Sequence, residues 1–471
     1  MKSETPGREI AKIAIPVSLE FALILGLNVV NQVVVGGLGT VAVASVGFVN
    51  SIILVPMMTL VALGNSTSIL VARAYGAKRD RELNTVVSTA LISAFVVAGA
   101  VSIPLFMWPT ELMRVIGASP EVVDMGAEYM AISAISLAPG ILSAVFSGIL
   151  RSADHSRSPM VATLITVALN TPLAIVLVFG FGPIPAMGVV GAAWAAVITT
   201  CLKALVLWIQ TYGLYNIANW EVPRTWLIWR SLLGALFSLA APLGVTAIFW
   251  TMGNFVYNVV VSGLGDDPLA AMQIVGTMEG VFVVASLGLM SAITALAGRA
   301  VGAGDGDLAL AWITKIKRIG IYTGVVFGVL FAASSFALSA LFPAIAPAVV
   351  VMATVGIIAN ATFQPLKVRA VLLGAAILPS GNDVRGVMMG DFFAPFVVGI
   401  PLALALGYLT PLGFYGVIIA RLVEEIAKFS LFRWRETRLN WAAIARDQVD
   451  AQRAIDETRV TDDPRQGLMQ S

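Results

Sequence analysis

AIPVSLEFALILGLNVVNQVVVGGLG occupies residues 14–39, and AAPLGVTAIFWTMGNFVYNVVVSGLG occupies residues 240–265. Each is an apolar run at least as long as the roughly 20 residues a helix needs to cross the hydrocarbon core of a bilayer. Set at an offset of 226, the two runs align Pro16 with Pro242, Asn28 with Asn254, Leu38 with Leu264 and Gly39 with Gly265. The same offset lays Arg73-Ala74-Tyr75-Gly76-Ala77 on Arg299-Ala300-Val301-Gly302-Ala303, and later Gly188 and Gly191 correspond to Gly413 and Gly416. The chain therefore reads as two copies of one membrane unit.

Composition agrees with this reading. Of 471 residues, 58% are hydrophobic and 12% charged, where a soluble domain carries about 25% charged residues. Such a chain cannot cover its surface with polar groups, and a lipid bilayer is its natural surroundings. The net charge of +2 gives no sign of a nucleic-acid partner. One cysteine, Cys201, and one histidine, His155, exclude an internal disulfide and argue against a Cys/His metal site or an intramembrane enzyme built on one. The first apolar run is long and leads straight into more membrane, so it is expected to be retained and not cleaved as a signal peptide.

Twelve stretches are long and apolar enough to span: 12–35, 46–72, 85–109, 124–150, 158–181 and 188–213, then 233–262, 269–298, 315–341, 347–377, 385–407 and 413–434. The expected fold is all-α and polytopic. An N-terminal six-helix half covers 1–213, a linker 214–231 and a C-terminal six-helix half 232–435. A tail follows at 436–471, helical around Trp441 to Ile455 and disordered beyond. With the N-terminus placed in the cytosol, Lys and Arg fall almost entirely in inside loops, and Arg114 alone falls outside. That bias fixes orientation and puts both termini in the cytosol. Six helices per half, both halves entering from one side, make a parallel repeat about an axis along the membrane normal, with substrate bound between the halves.

Several pieces now carry a resemblance. They are VVVGGLGTVAVAS (33–45), ILVARAYGAKRD (69–80), GILRSADHSRSPM (148–160), Asn170, and FGPIPAMGVVGAAWA (181–195). The second half adds MEGVFVVASLGLMSAITALAGRAVGAGD (278–305), LPSGNDVRGVMMGDFFAPFVVGIPLA (378–403) and RLVEEIAKFSLFRW (421–434). In this order and spacing the chain, from about Ile10 to Arg438, resembles the multidrug and toxic compound extrusion (MATE) family. The resemblance implies a monomeric antiporter of the bacterial inner membrane that expels small organic, often cationic, compounds. It implies no cofactor beyond a coupling ion, H⁺ or Na⁺. It also implies an acid at the positions of Glu279 and Asp391. Two departures stand out: Asn31 occupies the place of a usual first-helix Asp, and Lys367 that of an Asp found in some members. A lipid or lipid-linked oligosaccharide flippase is the alternative, and a channel a weaker one.

An ionisable group in a membrane helix costs about 2.5–3.5 kcal/mol on insertion scales and marks function by default. The candidates for ion coupling are Glu20, Glu279, Lys367, Arg369 and Asp391, with Lys367 or Arg369 as the partner of Glu279 and Asp391. Lys203 reads as an interfacial lysine. Glu20 and Asn31 lie three turns apart on one face, with Asn28 one turn from Asn31. Asn360, Gln364 and Lys367 share a face of the tenth helix, which Gln364-Pro365 should kink. Asn28, Asn31, Asn170, Asn254, Tyr257, Asn258, Asn360 and Gln364 are therefore expected to line the substrate cavity. Arg73 and Arg299 are expected to cap their own helix ends. Glu424, Glu425 and Lys428 read as an ion pair within the last helix.

Overall fold

The computed structural model describes residues 6–223, 225–338 and 346–450. Arg224, the end of the ninth expected span at 339–341 and the expected disordered tail beyond 450 lie outside the described residues. Ten helices are long and apolar enough to cross a membrane. They are α1 (Pro6–Gly36), α2 (Thr40–Gly76), α3 (Asp80–Met107), α4 (Pro120–Ser152), α5 (Arg157–Phe179), α6 (Val189–Leu214), α7 (Trp226–Ser262), α8 (Asp266–Gly302), α9 (Gly306–Ala337) and α11 (Val384–Tyr408). An eleventh, α10, is a pair bent by 55° between Pro347–Thr362 and Gln364–Ser380. The helix α12 (Phe414–Glu436) completes the set; Arg421, Glu424, Glu425 and Lys428 make it too polar to count as a span on composition alone. Among the described residues the fold is all-α, with one isolated bridge between Phe181 and Ile184.

The breaks have local causes. Pro365 lacks the N–H that would bond the carbonyl of Ala361, and α10 bends there. Pro139 removes the same bond to Ile135, and α4 is interrupted at Ser136. Gly39 (φ 101°) and Gly265 (φ 120°) each end the first turn of chain between two long helices. Both take a backbone conformation that side chains other than hydrogen rarely allow, at equivalent places in the two repeats. Residues 215–223 run as a strap rather than a helix, held to the start of α3 by Arg81–Glu221 at 3.0 Å and by the Asn219 N–H donating to Asn84 Oδ1 at 2.7 Å.

The two halves meet symmetrically. α1 lies along α8, α2 along α7, and α2 crosses α8. At the basic end this crossing is very close. A Cβ on Gly76 would lie 2.1 Å from the carbonyl oxygen of Arg299, and one on Gly302 would lie 1.9 Å from that of Arg73. The two arginines reach across the seam and do not cap their own helices, which corrects the expectation for both. Arg73 Nη2 donates to the Ser380 carbonyl at 2.8 Å and to Asn382 Oδ1 at 2.9 Å, beside the end of α10. Arg299 Nε donates to the Ser152 carbonyl at 2.7 Å, at the end of α4, and Arg299 Nη1 reaches Asp154 at 3.5 Å. The tail helix, residues 441–450, covers the same end. Trp441 and Ala445 are buried, and Arg73 Nη1 donates to Gln448 Oε1 at 3.3 Å.

The crossing has no room for a side chain, so Gly302→Leu should force the halves apart at this end. In a Cys201→Ser background, a thiol at Ser380→Cys, a position that is fully buried, should react slowly with an impermeant maleimide. Adding Gly302→Leu should speed that reaction at least tenfold. Gly302→Ala should cost about 1–3 kcal/mol of stability, read as a lowered melting temperature.

Candidate functional site

In the N-terminal half, α1 carries Glu20 into the interior, where it is 2% exposed. Its carboxylate holds two cations. Arg151 Nη2, from the end of α4, donates to Oε2 at 2.7 Å, and Lys203 Nζ, from α6, lies 3.6 Å from Oε1. The Thr163 hydroxyl of α5 adds a contact at 3.4 Å. A chamber of about 180 Å³ opens beside this cluster, bounded by α1, α2, α4 and α6 and, across the seam, by Met290, Ser291 and Thr294 of α8. A larger crevice of about 400 Å³ between α1 and α5, lined by Arg8, Lys12 and Arg157 with Ile15 and Leu19, lies on the outer face of the bundle, away from the seam.

In the C-terminal half, Lys367 of α10 is the hub. Its Nζ lies 2.5 Å from Glu279 Oε1 of α8 and 2.6 Å from Asn360 Oδ1, one face up the same helix. Asn360 anchors itself by donating to the Gly356 carbonyl at 2.8 Å. Gln364, fully buried on that face, donates to the Phe282 carbonyl of α8 at 3.4 Å. A second set lies nearby on α7 and α12. The Tyr257 hydroxyl donates to Glu424 Oε2 at 2.5 Å, and Arg421 stacks over the Tyr257 ring at 4.9 Å while donating to Asn254 Oδ1 at 3.1 Å. Asn258 accepts from Gln273 Nε2 at 3.4 Å. Asp391 of α11 is buried in an ion pair with Lys428 of α12.

The sequence matches the family model MatE over residues 16–176 and 242–405. The chain belongs to the MatE family. This is a family of membrane transporters, not enzymes. A probable multidrug resistance protein, YoeA of Bacillus subtilis (strain 168), is 24% identical over 322 residues, covering 68% of this chain and 69% of YoeA. An FAD transporter of Shewanella oneidensis is 22% identical over 326 residues, covering 68% of this chain and 71% of that protein. A crystal structure of MATE in complex with MaL6 superposes with a TM-score of 0.85 at 20% identity, over 94% of this chain and 98% of that one; it shows the shared fold.

Within this MATE fold the sequence-derived candidates fall into three groups. Glu279, Lys367, Asn360 and Gln364 come together as one cluster. Asp391 does not join it: its partner is Lys428, while Arg369 stacks over Phe429 at 5.1 Å. Lys428 therefore reaches to α11, and the expected ion pair within α12 gives way to bonds between helices. Asn170 is buried and donates to Thr199 Oγ1 at 2.9 Å, tying α5 to α6. Further along α1 from Glu20, Asn28 is exposed and Asn31 half-buried, its Oδ1 without a partner. Lys203, expected as an interfacial lysine, faces Glu20. Arg151 and Arg421 escaped sequence reasoning as site residues. An unpaired acid on another helix is the signal that points to such cations, but it does not say which cation answers it.

Removing one partner of a buried pair leaves a bare charge and costs about 3–5 kcal/mol. Lys428→Gln should therefore lower the melting temperature markedly, and Asp391→Asn alone should also destabilise. The double variant should recover much of the loss, giving a coupling energy above about 1 kcal/mol in a thermodynamic cycle.

Proposed function

We propose that this protein is a monomeric exporter of small organic compounds, exchanging them for H⁺ or Na⁺ across the bacterial inner membrane, with both termini in the cytosol. The observation that carries the reading is the Glu279–Lys367–Asn360 cluster, a half-buried acid whose cation sits on the neighbouring bent helix. A proton or Na⁺ arriving at Glu279 competes with Lys367 for the carboxylate. Once the carboxylate is neutralised or taken, the ammonium has lost its main counter-charge, and the packing of α8 against α10 is no longer the favoured one. An ion that binds one arrangement better than the other moves the rocking equilibrium by that difference in affinity. The basic end, closed by Arg73 and Arg299, is read as the cytosolic gate by the bias of positive charge. The halves 1–213 and 232–435 act as the two rocking bodies.

The name of the Bacillus subtilis relative supports drug-like cargo, and the Shewanella oneidensis relative is named an FAD transporter. A flippase of lipid-linked oligosaccharides has less support, because a chamber of about 180 Å³ is small for such a headgroup.

Proteoliposomes test the reading under separately imposed pH and Na⁺ gradients. Parent protein should expel a fluorescent organic cargo when one of the two gradients is applied. Glu279→Gln should reduce gradient-driven efflux at least a hundredfold and leave equilibrium cargo binding within about threefold of the parent. Full efflux by Glu279→Gln would sink the assignment of coupling to this cluster.

A further inference from the structure

The chamber beside Glu20 carries a sign. Its charged lining residues are Glu20, Arg151 and Lys203: one anion and two cations. Both oxygens of the Glu20 carboxylate are engaged, Oε2 by Arg151 and Oε1 by Lys203 and Thr163. Arg151 is one of the chamber's lining residues and also keeps a buried Nε–H without an acceptor. A surplus positive charge and an unmatched donor, in surroundings of low dielectric, are costly until an anion answers them. The remaining wall is mixed. Phe21, Ile24, Met57, Val61 and Met290 are apolar, and Ser147, Ser291 and Thr294 bring hydroxyls.

From this we infer that the chamber is the subsite for an acidic group on the cargo: a carboxylate, sulfonate or phosphate attached to an apolar body. The inference rests on the export reading and names its substrate class. The acidic group lies between Arg151 and Lys203, taking part of the charge they now share with Glu20. The apolar body extends along Phe21 and Met290, so that α1 and α8, one from each half, hold the same molecule. About 180 Å³ takes an acidic group and a ring and leaves a drug-sized cargo to reach beyond the chamber. A cationic cargo, expected from family resemblance, meets two like charges here and gains no partner that Glu20 has not already given away. Glu20 then tunes selectivity: it offsets one of the two cations and keeps the site from retaining every anion it meets.

The test uses two probes that share one fluorophore. Dansylglycine ends in a carboxylate and N-dansylethylenediamine in an ammonium. Each is titrated against the full chain in nanodiscs, with empty nanodiscs subtracted. Dansylglycine should bind at least tenfold tighter than the ammonium probe. Lys203→Gln should weaken dansylglycine fivefold or more without weakening the ammonium probe, Lys203→Arg should retain parent affinity, and Glu20→Gln should tighten dansylglycine. Equal or tighter binding of the ammonium probe by the parent overturns the inference, as does a preference unchanged in Lys203→Gln. If Lys203→Gln does not fold, the parent ratio and Glu20→Gln decide. Efflux of either probe separates the two readings. Gradient-driven export without an anion preference sinks this inference alone. An anion preference without gradient-driven export of either probe sinks the export reading and leaves the subsite standing.

Discussion

A carboxylate inside a membrane protein needs a cation within reach, and that need ties much of this molecule together. Glu20 joins α1 to α4 and α6, Glu279 joins α8 to α10, and Asp391 joins α11 to α12. In each case the partner lies on another helix. Helices in lipid gain little from burying apolar surface against one another, because lipid tails are equally apolar. Polar bonds between helices and close backbone contact therefore do more of the work of arranging them. Here these three charge pairs lie within a half, and the glycine crossing of α2 and α8, with Arg73 and Arg299 reaching across it, holds the halves to each other.

Much of this was legible in the sequence. Span lengths follow from hydropathy, and most observed helices fall within a few residues of the expected stretches, while α1, α7 and α9 begin at Pro6, Trp226 and Gly306, well before the expected 12, 233 and 315. The bend in α10 follows from Gln364-Pro365, and the shared face of Asn360, Gln364 and Lys367 follows from helical spacing. The pairing of Glu279 with a cation of the tenth helix was also within reach, since both lie at mid-depth. Partner choice elsewhere was not. Asp391 had Lys367, Arg369 and Lys428 as possible partners, and depth alone does not rank them. What decides is the rotation of α11 and α12 about their axes, which is set by tertiary packing. Lys428 illustrates the limit: spacing along its own helix offered it Glu424, and packing gave it Asp391, while Glu424 went to Tyr257. Lys203 was judged from its distance to the membrane edge, which says nothing of the acid on α1 that it faces.

The halves repeat in backbone and diverge in chemistry. Pro16 and Pro242, Gly39 and Gly265, Arg73 and Arg299 keep their places in both. The buried polar groups do not. The N-terminal half concentrates its charges in one cluster at a chamber, with cations in excess. The C-terminal half spreads its own over α7, α8, α10, α11 and α12. A duplicated scaffold thus holds two unlike arrangements of charge, one in each half.

The reciprocal reach of Arg73 and Arg299 also bears on leakage. Each arginine fastens its own half to the opposite one, and the two fastenings are related by the repeat. Releasing either one leaves the other in place, with the backbones still in contact at Gly76 and Gly302. Parting of the halves at this end therefore takes the loss of both fastenings and of the backbone contact between them.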